Sequence, residues 1–340
     1  MKIPQLSVVI IGRNEGQRLV DCIRSVQAIN EPPKHKEIIY VDSDSTDGSP
    51  ERAKTLGIQV LIVHPERPTA AIGRNAGWRV ATAPFILFLD GDTILNPDFV
   101  KAALPSFDDP LVAVVCGHLR ERFPDASLYQ RVMDLDWFSQ PGVSEFCGGI
   151  ALIRRAVLEE INGFDSRLIA GEEPEMCQRI RNHNYLILHI DQEMALHDLA
   201  ITRWSQYWQR AIRTGHAYAE IFTLSRKSSH LPVFQKKAGG ILWQRESRKN
   251  FLNAGILTGI FIVGFIMTLL LKSPWPLLVS ILLFLLLSVR SAVKARWKST
   301  NPTTLFLYGL HSQFQHIPIA IGQLSYYYNR WRGQHRRLIE

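Results

Sequence analysis

The chain has 340 residues, 46% of them hydrophobic and 21% charged, with a formal net charge of +8. That length allows one large domain with additions or two modest domains. The positive charge does not point to nucleic acid, because it clusters at the flanks of two apolar runs and no nucleic-acid motif accompanies it. Four cysteines (Cys22, Cys116, Cys147, Cys177) without C-x-x-C spacing read as reduced and mostly buried, as in a cytosolic domain.

The first residues do not form a signal peptide, since the short apolar run after Gln5 breaks at Gly12-Arg13-Asn14. Residues 1 to about 240 are therefore expected to stay on the side where they are made. Residues 6–11 predict a strand buried on both faces, ending in the polar stretch Gly12 to Gly16. Leu19, Cys22, Ile23 and Val26 recur at helical spacing. Residues 37–41 predict a second strand, followed by a turn of side-chain caps from Ser43 to Gly48. Ser49-Pro50 opens a short helix. A third strand is expected over 58–63, a helix over 74–83 and a fourth strand over 85–90.

That last strand ends in Asp90-Gly91-Asp92. Two hard oxygen ligands at this spacing suit Mg²⁺ or Mn²⁺, which would clamp a substrate diphosphate; an acidic β-turn is the plainer alternative. The alternation of strands and helices predicts an open, doubly wound α/β sheet. Its ligands bind beyond the carboxyl ends of the strands. The polar clusters at 12–16, 42–48 and 90–92 all fall there.

Residues 146–153 predict a strand whose Gly148-Gly149 pair admits close approach. Gly171-Glu172-Glu173-Pro174-Glu175 opens a helix over 175–183. Three glutamates in four positions repel one another, and such a carboxylate at a cleft suits a general base. His197-Asp198 follows the run 186–190 by a short loop, and His197 is either a third metal ligand or a cap before a helix near 202–222. On that helix Trp204, Tyr207, Trp208 and Tyr218 face either a sugar or a lipid interface.

Residues 251–271 and 273–289 carry no charge. Each is close to the roughly 20 apolar residues a spanning helix needs, and the five residues Lys272 to Pro276 between them allow only a tight hairpin. Arg245, Arg248 and Lys249 precede the pair, Lys294, Arg296 and Lys298 follow it, and Arg330, Arg332, Arg336 and Arg337 crowd the end. This basic flanking predicts a multi-pass membrane protein with spans at about 251–271 and 274–290 and its catalytic domain, 1–240, in the cytoplasm. Within the membrane region, 241–340, the stretch 303–328 is apolar but holds His311, Gln313, Gln315, His316 and Gln323. It is expected to lie in the interface or dip back out.

These residues resemble the family 2 glycosyltransferases, enzymes of GT-A fold. Ser7 to Glu15 looks like the family's opening strand and loop, S-V-V-I-P-x-Y-N-E. Tyr40 to Ser49 looks like V-D-D-G-S-T-D-G-S, whose first Asp contacts the nucleotide base. Gly73-Arg74-Asn75-Ala76-Gly77 is similar to A-R-N-x-G, and Asp90-Gly91-Asp92 sits at the D-x-D. Gly148-Gly149, Arg154-Arg155, Gly163-Phe164-Asp165 and the glutamate cluster follow in the family's order. The resemblance covers about 6–220. It implies an inverting, metal-dependent transfer of a sugar from a nucleotide-sugar donor to a lipid-linked or saccharide acceptor. The donor would lie at Asn14, Glu15, Asp42, Asp44, Arg74, Asn75, Asp90 and Gly91, with Mg²⁺ or Mn²⁺ on Asp90, Asp92 and His197.

Two departures bear on the site. Ser43 replaces the second Asp of the base-binding pair. Glu173 stands where the family has the Asp of its E-D motif, so Glu173 is the expected base with Glu172 as its rival. Trp208-Gln209-Arg210-Ala211-Ile212-Arg213 lacks the Q-x-x-R-W spacing of processive members, which argues against a polymer-extruding synthase. A nucleotidyltransferase would want a basic, Gly-rich loop after strand one, where Glu15 stands. An idle membrane scaffold would not need the Asp90/Asp92 and Glu172/Glu173 pairs.

Overall fold

A computed structural model describes residues 5–31, 33–227 and 243–333. The expected alternation is present as β1 (Leu6–Gly12), α1 (Gln17–Gln27), β2 (Lys36–Asp42), α2 (Ser49–Thr55), β3 (Gln59–Ile62), α3 (Ala70–Val80) and β4 (Phe85–Asp90). There follow β5 (Thr93–Leu95), α4 (Phe99–Ala103), β6 (Val112–Glu121), α5 (Leu128–Trp137), β7 (Gly142–Ser144), β8 (Ala151–Arg154), α6 (Arg155–Glu160), α7 (Glu172–Asn182), β9 (Leu186–His197) and α8 (Trp204–Lys227). The chain continues as α9 (Gln244–Leu271), α10 (Trp275–Lys294), α11 (Pro302–Phe314) and α12 (His316–Trp331). The boundary expected at 240, the first four residues and the basic pair Arg336 and Arg337 lie outside the described residues.

The sheet order is β3-β2-β1-β4-β8-β6-β9-β5, with β7 on β9. The first four strands are parallel, and β1, at its centre, is buried from Leu6 to Ile11 and apolar there except for Ser7. Beyond β4 the sheet turns mixed, because β8 runs antiparallel to both β4 and β6. Helix α3 begins at Ala70, four residues before the expected start, because the Thr69 side chain caps the Ile72 N–H. It lies hard against the sheet at Gly77, where a Cβ would strike Val9.

Three expected boundaries change. Residues 146–150 are not strand; only 151–154 pair, since the Cys147 N–H is drawn to Glu173 at 2.8 Å and Gly148 takes a left-handed φ of 78°. The run from 186 does not stop at a loop after 190. It continues through bulges against β6 as one strand of 12 residues that carries His197 to its position opposite Thr93. The stretch 303–328 is two helices with a break at Gln315, because Pro318 has no N–H to offer the Phe314 carbonyl one turn back.

Helices α9 and α10 form the hairpin. Both are long and apolar enough to cross a membrane, with mean hydropathy 2.5 and 2.2 and only 17% of each apolar window buried. Helices α11 and α12 instead pack on the α/β domain. A Cβ at Gly215 of α8 would fall on the Ile319 carbonyl of α12, and one at Gly322 of α12 on the Ile212 carbonyl of α8, so the two backbones nearly touch. Alongside, Asp136 at the end of α5 accepts from Tyr308 Oη at 2.9 Å and pairs with His311 Nε2 at 3.0 Å. His311 Nδ1 meets Tyr207 Oη at 2.8 Å, and Lys298 Nζ donates to the Leu135 carbonyl at 2.5 Å.

Candidate active site

The ends of β1 and β4 are tied by the Gly91 N–H donating to the Ile11 carbonyl at 2.8 Å. Glu15 folds over this junction so closely that a Cβ at Gly12 or at Gly91 would lie 2.9 Å from its Cγ. Gly91 is thus a packing requirement of Glu15. Glu15 is held by Arg18 at 2.8 Å, yet its carboxyl is pushed up to about 7, by burial first and then by the charge of Asp92. Asp92 is likewise pushed up to about 7, by burial and then by Asp90. Its Oδ1 is buried without a partner, and its Oδ2 lies 3.4 Å from His197 Nε2. Burial pushes the His197 imidazolium down, its Nδ1 has no partner, and Trp137 packs edge-on against the ring at 5.0 Å.

Arg74 is buried in the wall of the cleft. Nη1 donates to Glu172 Oε1 at 2.7 Å and Nη2 to Asp90 Oδ1 at 2.9 Å, so one guanidinium joins α3, α7 and the end of β4. Gly149 makes room for it, since a Cβ there would stand 2.7 Å from Nη2 and 3.3 Å from Asp90 Oδ2. The three clustered glutamates part company rather than repel: Glu172 takes Arg74, Glu175 takes Arg179 at 2.7 Å, and Glu173 Oε1 accepts from Cys147 N and from Cys177 Sγ at 3.0 Å. Cys147, Glu173 and Cys177 bring ligand atoms within 4.8 Å of one another. Burial pushes the Cys177 thiol up to about 11 and helps push Cys147 well up.

The further residues expected at the donor site are each engaged in local hydrogen bonds or ion pairs. Asp42 is fully buried, accepting Tyr40 Oη at 2.6 Å and the Ser45 N–H at 2.7 Å, and so shapes the turn after β2. Asn14, at a left-handed φ of 57°, accepts the Thr46 N–H at 2.8 Å and ties the first loop to that turn. Asp44 is exposed and paired with His64 at 2.9 Å. Asn75 faces away from the cleft: its amide donates to the Phe164 carbonyl at 2.8 Å and accepts from Trp78 Nε1 at 2.8 Å. Arg18 and Trp137 were not foreseen. Arg18 has a readable signal, three residues after Glu15; Trp137 has none, because only the fold brings it to His197.

A family model described as Glycosyl transferase family group 2 matches residues 85–312, and one described as Glycosyl transferase family 2 matches residues 7–162. Glycosyltransferase AglE of Haloferax volcanii is 20% identical over 235 residues, 66% of this chain and 77% of that protein. Several further relatives are 27–28% identical, and the match spans only 34–39% of their own length. Among solved structures, the mannosyltransferase PcManGT from Pyrobaculum calidifontis, in complex with GDP-Man and Mn²⁺, superposes with TM-score 0.59 at 18% identity, covering 95% of this chain and 88% of that one. S. aureus TarS 1-349 gives TM-score 0.56 at 14% identity over 98% and 93% of the two chains.

Proposed function

We propose that this chain, which belongs to the family 2 glycosyltransferases, transfers a sugar with inversion from a nucleotide-sugar donor to a lipid-linked or saccharide acceptor at the cytoplasmic face of a membrane. It is a glycosyltransferase of GT-A-like fold with two candidate membrane-spanning helices. The observation that carries the reading is Asp92 at the carboxyl edge of the sheet, its Oδ1 buried without a partner and its Oδ2 3.4 Å from His197 Nε2. A buried acceptor without a partner is costly, and a cluster of Asp90, Asp92 and Glu15 asks for a cation. Carboxylate oxygens suit Mg²⁺ or Mn²⁺. Asp92 and His197, with Asp90, would hold it. A divalent cation bound there neutralises the leaving diphosphate.

The chain's own residues supply the rest. Arg74 holds Asp90 and Glu172 together through two ion pairs. Glu172 is held by Arg74, and Glu173, the adjoining residue of the same helical turn with its Oε1 anchored by the Cys147 N–H and Cys177 Sγ, is assigned the proton of the acceptor hydroxyl. The acceptor oxygen bonds to the anomeric carbon from the face opposite the diphosphate. The bond from that carbon to the diphosphate oxygen breaks, and its electron pair leaves with the nucleoside diphosphate. Asn14, Asp42 and Asp44 shape the loops over which the base and ribose would lie. The basic residues around α9 and α10 support a cytoplasmic catalytic domain, and the broken helices α11 and α12 fit a place at the interface.

A panel of nucleotide sugars given to the full chain in membranes tests this. Metal-dependent hydrolysis or transfer of at least one donor is expected. A folded protein that turns over none, and binds no nucleoside diphosphate with Mn²⁺, overturns it and leaves the idle scaffold.

A further inference from the structure

A cavity of about 300 Å³ opens between the start of α7 and one face of α8. Gly171 and Pro174 form one wall, at the first turn of the helix that carries Glu172 and Glu173. The other wall is a single helical face. Arg210, Arg213, Thr214, Ala217, Tyr218 and Ile221 follow at steps of three and one, which keeps them in one stripe. The opposite face of α8, at Ile212 and Gly215, is the one pressed against α12. The stripe has a polarity. Its first turn carries two guanidinium groups, and no carboxylate among the described residues forms an ion pair with either. Its far end is apolar and aromatic, closed by Trp243, whose ring lies 4.6 Å from that of Tyr218 and whose indole N–H is buried without a partner. Trp243 is also the residue from which α9, the first candidate span, departs.

Burial and the neighbouring like charge of Arg213 push Arg210 down, outweighing the opposite pull of the carboxylates Asp136, Asp92 and Glu121. Two cations one turn apart are tolerated in a half-enclosed site when an anion joins them, and guanidinium forks match phosphate oxygens. A sugar hydroxyl alone gives no reason for two positive charges, and a wholly apolar ligand gives none either. A phosphate on an apolar chain satisfies both ends, and the tail leaves the cavity where the hairpin begins.

We infer that this cavity is the acceptor site, and that the acceptor is an amphiphile whose phosphate or diphosphate is held by Arg210 and Arg213 while its apolar chain runs past Ala217 and Ile221 toward Trp243. The inference rests on the transfer reading above and names the acceptor class for it. The phosphate is a handle: the hydroxyl that reacts lies on the acceptor's head group, at the Glu172–Glu173 turn, and the transfer step is unchanged.

The test uses the full chain in nanodiscs of zwitterionic lipid, with dodecyl phosphate, dodecanol and inorganic phosphate as probes. The readout is the ligand-induced rise in melting temperature, which reports affinity for the folded state. Dodecyl phosphate is expected to stabilise the protein, and inorganic phosphate at equal concentration at least tenfold less effectively. Dodecanol should have no effect. R210Q/R213Q should weaken dodecyl phosphate at least tenfold while Mn²⁺-dependent binding of nucleoside diphosphate stays within about twofold. Ala217→Trp fills the apolar half and keeps both arginines; it serves if the double variant does not fold, and it should also abolish the dodecyl phosphate effect. If inorganic phosphate matches dodecyl phosphate, the arginines hold an adventitious anion only and the inference is overturned. Loss of nucleotide binding with dodecyl phosphate unaffected assigns the arginines to the donor and sinks the inference. If the parent chain binds no nucleotide at all, it is the transfer reading that fails.

Discussion

Asp92→Asn is expected to make the metal-free protein more stable and, at once, inactive. The Asp92 carboxyl, buried beside Asp90, is pushed up to about 7 from an ordinary 3.8. Across the window from about 4 to about 7 the folded protein therefore holds a proton that the unfolded chain has released, and stability falls as pH rises through it. At roughly 1.4 kcal/mol per pH unit, that gap corresponds to about 4 kcal/mol by pH 8. The side chain is only 18% exposed, so solvent screens little of this. An asparagine avoids the charge but is itself a buried polar group, at a cost on the order of 1–2 kcal/mol. A net gain of roughly 2–3 kcal/mol at pH 8 remains. The assay is denaturant or thermal unfolding of parent and variant, in chelator, from pH 4 to pH 8. The variant's advantage should be absent near pH 4, grow to about pH 7 and then stay level. Mn²⁺ should stabilise the parent and leave the variant unmoved, and the variant should transfer no sugar. An Asp92→Asn protein no more stable than its parent at pH 8, or an advantage independent of pH, would refute the reasoning.

Glu173→Gln should lower turnover by a factor on the order of 10²–10⁴ with nucleotide affinity nearly unchanged, whereas Glu172→Gln should loosen Arg74 and raise the donor KM; steady-state kinetics on both variants separates these, and a dead Glu172→Gln beside an active Glu173→Gln moves the base by one residue. Gly149→Val places atoms 2.7 Å or less from Arg74 Nη2 and should displace the guanidinium, weakening Mn²⁺-dependent nucleotide binding by a factor on the order of ten or more, measured by calorimetry. A reporter fused after Glu340 should remain cytoplasmic; labelling of that end from outside would mean an odd number of crossings and a third span within α11 and α12.

The elements up to residue 90 were legible because their signals are local. An apolar run such as 6–11 must be buried, and a strand that ends in Asp-Gly-Asp delivers its carboxylates to the sheet edge whatever surrounds it. Arg74 does meet Asp90 and Glu172. What was not legible depends on long-range packing. The extension of β9 to His197 follows from pairing with β6 and β5, which lie about 75 and about a hundred positions earlier in the chain. Asn75 sits beside Arg74 in sequence, but consecutive helical residues point about 100° apart. One therefore lines the cleft and the other locks the loop at 164. The break at Gln315 was readable in principle from Pro318; the docking of the two resulting helices was not, since it depends on Gly215 and Asp136, far away in the chain.

The crossing of α8 and α12, where Gly215 lies on the Ile319 carbonyl and Gly322 on the Ile212 carbonyl, together with Asp136 held by Tyr308 and His311, joins the catalytic sheet closely to the helices that follow the hairpin. With α9 and α10 in a bilayer, the mouth of the site stands at a set altitude and tilt above the lipid, like a tool on a fixed post rather than a weight on a string. Such an enzyme has a working distance. An acceptor head must reach that height to be used, and one carried too far out is passed over however well its chemistry fits.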